Sequence, residues 1–181
     1  SDLKGDETLL FYPTAAAFDA ERGVWSVPVH GVVFEEEADS LKRAVLLRLL
    51  RGALPADLTA EEAKLFDRRA RLFLVDHERG KRVVVRLDSQ TRVIGTSEPN
   101  GHFRATLELP ADAVERRRDG AWLTFAAALP KDDSRRFSGR AALIEPTGLS
   151  VVSDLDDTIK ISEVRDRRAL LKNTFLRPFR A

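Results

Sequence analysis

Short runs of alternating apolar and polar residues fill the middle of this sequence, and they constrain its fold more than any other feature. Six runs are typical of strands: 72–75, 82–87, 92–96, 102–109, 121–129 and 138–144. Turn dipeptides punctuate them at Arg79-Gly80, Asn100-Gly101 and Asp119-Gly120. Because short strands with a turn after roughly every ten residues are typical of packed sheets, the pattern predicts an antiparallel β-sandwich-like domain.

The first third of the chain adds two predicted strands, at 8–12 and 24–34, with a turn predicted at 15–23 between them. The second strand has one apolar face at a period of two, formed by Trp25, Val27, Val29, Gly31 and Val33. Pro28 lies inside that strand and has no N–H group to donate. We therefore expect the strand to lie at a sheet edge or to bulge at Pro28.

Two amphipathic helices are predicted before the six-strand region. The first has apolar residues at helical spacing: Leu41, Val45, Leu46, Leu49 and Leu50. Thr59 and Glu62 have the spacing of a capping box and predict the start of the second. We expect the pair to pack against the neighbouring sheet, although a basic amphipathic pair can also lie on a membrane. Residues 1–146 then form a β-rich accessory domain with an inserted helical pair, and the fold class is α+β.

An acidic cluster follows the junction at 146–148. Val151 and Val152 predict the end of a buried strand, and Asp154, Asp156 and Asp157 follow at once. The carboxyl end of a strand is where open α/β sheets bind ligands. Carboxylates two residues apart can face one small volume and repel each other there, and a hard cation such as Mg²⁺ relieves that repulsion.

Four interpretations of this cluster compete. A solvated acidic turn explains the aspartates but not the apolar run before them. A calcium-binding EF-hand loop needs Gly at its sixth and Glu at its twelfth position, where this chain has Ile159 and Arg165. A Gly-rich nucleotide-binding loop is excluded because no glycine follows Gly148. We favour a phosphoryl-transfer motif, in which Asp154 attacks phosphorus and Asp156 acts as acid and base.

The segment Asp154-Leu155-Asp156-Asp157-Thr158 resembles the first motif of the haloacid dehalogenase superfamily of aspartyl phosphotransferases. The surrounding residues 146–160, 162–164 and 169–176 are similar to the actin-patch-type phosphatidate phosphatase family of yeast and bacteria. Residues 100–103 and 137–140 resemble that family's leading domain more loosely. The resemblance implies that residues 147–181 are the first strand and loop of a Rossmann-like catalytic domain.

The resemblance also implies a mechanism. Asp154 would be the nucleophile that forms an aspartyl-phosphate, and Asp156 would protonate the leaving alkoxide and later activate water. Mg²⁺ would be held by Asp154 and Asp156, and Thr158 would position the Asp154 carboxylate. The implied reaction is hydrolysis of phosphatidate to diacylglycerol and phosphate.

Three further motifs of that family have no counterpart here: a Ser or Thr that binds the phosphoryl group, a Lys, and a later acidic pair. We therefore expect the 181-residue chain to be inactive by itself. A single strand without partners is not stable alone. For that reason we also expect residues after about 160 to be poorly ordered or to form a homodimer with a second copy.

Two other functions stay open. In one, the β-rich domain is a non-catalytic lipid- or protein-binding module with an inactive acidic motif; in the other, it only supports a phosphatase. The net charge of +1 creates no global field that would attract nucleic acid. Local basic runs suit anionic phospholipid headgroups or a membrane surface, namely Arg116-Arg117-Arg118, Arg135-Arg136 and the basic segment 157–181.

The remaining composition narrows the chemistry further. No cysteine is present, which excludes disulfides and thiolate metal sites. The three histidines, His30, His77 and His102, have no short ligand spacing and predict no metal site. No apolar run is long enough to span a bilayer. The chain lacks methionine, so we expect a processed or trimmed N-terminus; a removed signal peptide would indicate a periplasmic or envelope protein, and a cytoplasmic location stays open.

Overall fold

The computed structural model describes residues 2–36, 41–71, 75–87, 90–149, 151 and 153–179. The chain divides into two compact units. The first, here the sheet unit, comprises Ser1–Glu35 and Asp76–Gly148; the second, here the helical unit, comprises Glu36–Val75 and Leu149–Ala181. The described chain is a mixed α and β structure that is mostly sheet and has four helices, which agrees with the predicted class at that level.

The strands are β1 (Glu7–Tyr12), β2 (Thr14–Asp19), β3 (Val24–Glu36), β4 (Val75–His77), β5 (Arg82–Leu87), β6 (Gln90–Thr96), β7 (His102–Pro110), β8 (Arg118–Asp119), β9 (Trp122–Ala127) and β10 (Ser138–Ile144). The helices are α1 (Leu41–Gly52), α2 (Ala60–Arg71), α3 (Ala111–Glu115) and α4 (Arg167–Phe175). The sheet order is β1-β3-β2-β10-β9-β5-β6; β4 and β7 also pair with β3, and β8 pairs with β9.

The predicted strands 82–87 and 138–144 coincide with β5 and β10, and those at 92–96, 102–109 and 121–129 match β6, β7 and β9 within two residues. The run 72–75 lies mostly outside the described residues. The turn predicted at 15–23 is wrong, because its first half forms β2. Alanine-rich β2 has weak strand propensity of its own, but it pairs antiparallel with β3 and parallel with β10, and these partners override local preference.

β3 is an interior strand, so the prediction of an edge or bulge at Pro28 is wrong. β7 pairs with β3 in unbroken register along one side. On the other side β1 covers residues 30–35 and β2 covers residues 24–26, and Pro28 faces the gap between them. The Thr14 hydroxyl donates to the Pro28 carbonyl at 2.6 Å. The N–H and C=O groups of one residue point to the same side of a strand. The absent N–H group of Pro28 would therefore point into the gap between β1 and β2, where no neighbouring strand needs a hydrogen-bond donor.

The sheet unit has a core of alternate residues from its strands, as the period of two predicts. Trp25, Val27, Val29 and Val33 of β3 are all buried. Phe11 packs edge-on against Phe103 and Phe125, with ring centroids 5.7 and 5.2 Å away. Edge-to-face aromatic pairs of this kind stabilise a core beyond the area that they bury.

The helical unit has a separate core, formed by Leu54, Phe66, Ala70, Phe175 and Leu176. The predicted capping box starts α2: the Thr59 N–H donates to Glu62 Oε2 at 2.9 Å and the Glu62 N–H donates to Thr59 Oγ1 at 3.2 Å. Asp166 is the N-cap of α4, and its carboxylate accepts from the backbone N–H groups of Arg168 and Ala169.

Three features of this region differ from what the sequence predicts. α2 shares its core with α4, a partner that the sequence did not predict. We expect residues after about 160 to be poorly ordered or to pair with a second copy, but residues 167–175 form α4, because Phe175 and Leu176 find apolar partners on this chain's own helices. Pairing with a second copy stays a prediction. Val151 belongs to no strand and is 82% exposed, so the expected end of a buried strand is not seen there; Val152 lies outside the described residues.

Among the described residues, no helix combines the length and the apolar character that crossing a bilayer requires.

Candidate functional site

The predicted site residues lie in residues 154–164 of the helical unit, here called the acidic loop. A tight turn closes its first half: the Lys160 N–H donates to the Leu155 carbonyl at 2.8 Å, and the Asp157 N–H donates to the Lys160 carbonyl at 2.7 Å. Asp157 and Glu163 adopt the left-handed backbone conformation, with φ of 59° and 55°. Aspartate tolerates this conformation better than most residues, which favours it at a sharp turn.

Asp157 holds the two halves of the acidic loop together. Its carboxylate accepts the backbone N–H groups of Ser162, Glu163 and Val164 at 2.7, 2.6 and 2.9 Å. These bonds lower the pKa of Asp157, because the backbone amides stabilise the ionised carboxylate. We assigned this residue no chemical role from sequence, and its hydrogen bonds here organise the loop.

Asp156 is anchored by two side chains. Its Oδ1 accepts from the Ser162 hydroxyl at 2.5 Å and from Lys160 Nζ at 3.0 Å. Both contacts, the Ser162 bond first, lower the pKa of Asp156. The Ser162 residue is only 1% exposed, so the anchoring group is itself fixed by its surroundings. Asp156 is therefore ionised and held in one orientation at neutral pH.

Asp154 differs from both of its neighbours. It is exposed, and its Oδ1 accepts only the adjacent Leu155 N–H at 2.7 Å. Within the described part of the chain, no Lys, Arg or His forms an ion pair with it. Its carboxylate thus has the fewest hydrogen-bond partners of the three in the described chain. The Thr158 side chain is exposed and shows no hydrogen bond to Asp154 in the described chain, so its positioning role stays a prediction.

Three residues that support the loop were not predicted from sequence: Ser162, Asn173 and Arg69. Asn173 on α4 is 8% exposed, and its Nδ2 donates to the Ser162 carbonyl at 3.2 Å and to Glu163 Oε2 at 2.9 Å. Arg69 on α2 donates to the carbonyls of Thr174 and Arg177 at 2.6 and 2.8 Å, which ties α2 to the end of α4. The available signal for Asn173 was its place at helical spacing between apolar Ala169 and Leu176.

The donor chemistry of the loop fits Mg²⁺, which proteins bind through one or two carboxylates together with substrate phosphates and water. Asp154 and Asp156 supply two such oxygen donors. Among the residues that the structure describes, no group of three or more His, Asp or Glu side chains is placed to hold a metal. Any metal at the loop would therefore depend on substrate or water oxygens for the rest of its coordination.

The three histidines, which the sequence places far apart, meet on one face of the sheet unit. His30 Nε2 lies 3.2 Å from His102 Nδ1, and the His77 and His102 rings are stacked with centroids 6.4 Å apart. Burial, the Arg104 guanidinium and the His102 imidazole lower the pKa of His30, against an opposing effect of the Glu98 carboxylate. The absence of short spacing in sequence did not prevent strand pairing from assembling them.

Comparisons of the chain with protein-family models, with curated proteins and with solved structures find no match. The chemistry of the acidic loop must therefore be inferred from its own residues.

Proposed function

We propose that the acidic loop is the nucleophile motif of a Mg²⁺-dependent phosphatase that acts on phosphatidate through an aspartyl-phosphate. One observation carries this proposal: Asp154 and Asp156 lie two residues apart in different environments. In the described part of the chain, Asp154 is exposed and forms no ion pair with a cation, while Lys160 and Ser162 anchor Asp156. Paired carboxylates with unlike surroundings are a common basis for dividing acid–base roles in an active site.

In the proposed reaction, an Asp154 oxygen forms a bond to phosphorus while the bond between phosphorus and the lipid oxygen breaks. A proton from Asp156 goes to the leaving alkoxide, which yields diacylglycerol. Asp156 then takes a proton from water, and that water oxygen attacks phosphorus, which releases phosphate and restores the Asp154 carboxylate. Splitting the hydrolysis into two displacements is the advantage of a covalent nucleophile.

Asp156 has to become protonated when the substrate binds, before it can donate to the leaving alkoxide. Ser162 and Lys160 lower its pKa in the chain as it stands, so the free carboxyl group is ionised at neutral pH. A nearby phosphoryl dianion acts in the opposite sense, because a like charge raises the pKa of a carboxyl group. Substrate binding thus converts Asp156 from an anchored anion towards a proton donor.

Asp154 and Asp156 would hold the Mg²⁺ ion, which when bound neutralises phosphate charge during phosphoryl transfer. Lys160 adds positive charge at the same loop through its contact with Asp156. In this proposal residues 1–146, with their inserted helical pair, are the sandwich-like accessory domain, and residues 147–181 are the beginning of the Rossmann-like catalytic domain.

A lipid substrate is supported by the exposed face of α1. Val45 and Leu49, one helical turn apart, are 58% and 66% exposed, and Arg48 lies exposed beside them. A helix with apolar side chains flanked by cations suits an anionic membrane surface, where phosphatidate is found. The same face would serve the second candidate function, a non-catalytic lipid-binding protein with an inactive acidic loop.

The test measures Mg²⁺-dependent phosphate release from phosphatidate vesicles and from a soluble phosphomonoester. It uses this chain and a version continued through a complete catalytic domain, each with Asp154→Asn and, as matched control, Asp166→Asn. We expect activity in the continued protein only, lost with Asp154→Asn and kept with Asp166→Asn, which only weakens the start of α4.

If neither protein releases phosphate, the phosphatase proposal is overturned. Vesicle binding that persists in the silent protein, and that Val45→Ser with Leu49→Ser removes, would then establish the lipid-binding function.

A further inference from the structure

All three histidines of the chain and its only tyrosine gather on one face of the sheet unit. Tyr12 on β1 pairs directly with His30 on β3. His102 begins β7 and lies diagonal to His30, since β7 pairs Arg104 with His30. The Tyr12 ring is 4.9 Å from His30 and 6.0 Å from His102, measured between centroids. Neighbouring strands therefore hold both imidazoles, and the tyrosine ring limits how they can turn.

His30 Nε2 and His102 Nδ1 approach within 3.2 Å. If the two rings share a hydrogen bond, one nitrogen donates and the other accepts. The same separation suits two ligands of one metal ion: for zinc–nitrogen bonds of about 2.0–2.1 Å in a tetrahedral arrangement, two ligand nitrogens lie about 3.3 Å apart. Binding one metal ion in place of the shared hydrogen bond requires both rings to turn so that their lone pairs meet at one point.

We propose that His30 Nε2 and His102 Nδ1 form a two-histidine site for a borderline transition-metal dication such as Zn²⁺, Ni²⁺ or Cu²⁺. Imidazole nitrogen is a preferred ligand for these ions, whereas Mg²⁺ prefers oxygen. The site is thus chemically distinct from the acidic loop, and it does not depend on the proposed phosphatase function.

The surroundings define how the site is completed. Glu98 and Arg104 act on His30 with opposite charge, so the pair lies in a field of mixed sign. His77 stacks on His102 with ring centroids 6.4 Å apart, and it is not part of a three-ligand group among the described residues. In the described part of the chain no set of three His, Asp or Glu side chains is placed as ligands, so water fills the remaining positions.

Nitrogen-detected NMR of the untagged 181-residue chain provides the direct test, because three histidines give three resolvable sets of imidazole signals. On addition of Zn²⁺, we expect the resonances of His30 Nε2 and His102 Nδ1 to shift together while His77 changes little. Mg²⁺ at the same concentration should leave all three unchanged. If Zn²⁺ leaves the His30 and His102 nitrogens unaltered, or shifts His77 alone, the proposed site does not exist.

Calorimetric titration with Ni²⁺ or Zn²⁺ gives the second test. Loss of even an outer partner of a metal site weakens binding by about 10- to 100-fold, so His30→Gln and His102→Gln should each weaken it by at least about tenfold. His77→Gln is the matched control on the same face and should keep the affinity of the unaltered chain. Unchanged binding in His30→Gln would place the metal elsewhere and overturn the proposal.

Discussion

Asp157 makes more hydrogen bonds to the backbone of the acidic loop than either neighbouring aspartate, with three N–H groups on one carboxylate. Asp156 instead bonds to side chains, and Asp154 bonds only to the next residue along the chain. Three residues of one type within four positions thus have three different sets of partners. In this account Asp157 supports the loop, Asp156 handles protons and Asp154 attacks the substrate.

Replacing Asp157 by Asn should open the acidic loop. The neutral amide is a weaker acceptor for three backbone N–H groups, and its Nδ2 cannot accept at all. We expect faster hydrogen exchange at Ser162, Glu163 and Val164, measured by NMR or mass spectrometry. Asp154→Asn makes the same chemical change three residues away and should leave those amides protected; equal exchange in both variants would refute the role of Asp157.

The buried Glu7–Lys81 ion pair predicts a pH dependence of the sheet unit. Burial acts to raise the pKa of Glu7, but Lys81 and the Lys4 backbone N–H outweigh it and lower the pKa from 4.5. A folded pKa below the unfolded one means that this contribution to stability is present above about pH 4.5 and is lost as the pH falls further. Urea unfolding across acidic pH should show this loss, and Glu7→Gln should remove that part of the pH dependence.

Lys81→Met tests the same pair at neutral pH. It removes the closer of two charged partners from the Glu7 carboxylate, whose side chain is fully buried, and leaves Lys4 Nζ 3.7 Å away. Breaking a buried pair from one side costs about 3–5 kcal/mol of unfolding free energy. Lys131→Met, at an exposed lysine of the same unit, should change the unfolding free energy little. Similar urea midpoints for the two variants would contradict a stabilising role for the pair.

At the scale of elements, alternation and turn signals were enough to place most strands. β5 and β10 were predicted to the residue because their buried positions alternate strictly. β2 was missed since its alanines carry no local strand signal, and its two neighbours determine its structure. The position of β3 was misjudged because a single Pro28 indicated an edge, whereas the gap between β1 and β2 removes the cost of the missing donor.

The residues of the candidate site also fall into those that local sequence signals indicated and those that depend on packing. Asp154 and Asp156 were proposed from their spacing and from the apolar residues before them, since both signals are local, and their catalytic roles stay predictions. Ser162, Asn173 and Arg69 depend on how α2 and α4 meet, and that packing brings together residues about a hundred positions apart, such as Arg69 and Thr174. The sequence therefore led to a proposal for the chemistry of the loop but did not reveal the residues of α2 and α4 that hold the loop in place.

Phe175→Ala tests the packing of α4 on α2. Phe175 is 5% exposed and its ring lies 5.9 Å from Phe66, so its removal leaves a cavity in a small core. Phe to Ala changes in cores cost about 3–5 kcal/mol. We expect loss of helical circular dichroism and rapid hydrogen exchange in residues 167–175. Phe179→Ala, at a 63% exposed phenylalanine of the same segment, is the control and should keep α4 folded.

For the whole molecule, two separate cores predict two responses to core mutations. Leu123 is fully buried in the core of the sheet unit, and Phe66 is 5% exposed in that of the helical unit. Leu123→Ala should lower the free energy of unfolding of the sheet unit by about 2–5 kcal/mol and leave exchange in α2 and α4 unchanged. Phe66→Ala should speed exchange in α2 and α4 and leave the free energy of unfolding of the sheet unit unchanged. Residue-resolved hydrogen exchange distinguishes these outcomes, and a uniform change in both units would indicate one cooperative fold.

The proposed function of the whole protein depends on Asp154 acting as the nucleophile. The most direct measurement is detection of a phosphoryl group on Asp154 by peptide mass spectrometry. The chain, continued through a complete catalytic domain, is mixed with phosphatidate and Mg²⁺ and quenched in acid within a single turnover. We predict a hydroxylamine-sensitive phosphoryl group on Asp154 that is absent without Mg²⁺. Phosphate release by Asp154→Asn at the unaltered rate, or a phosphoryl group on a different residue, would contradict it.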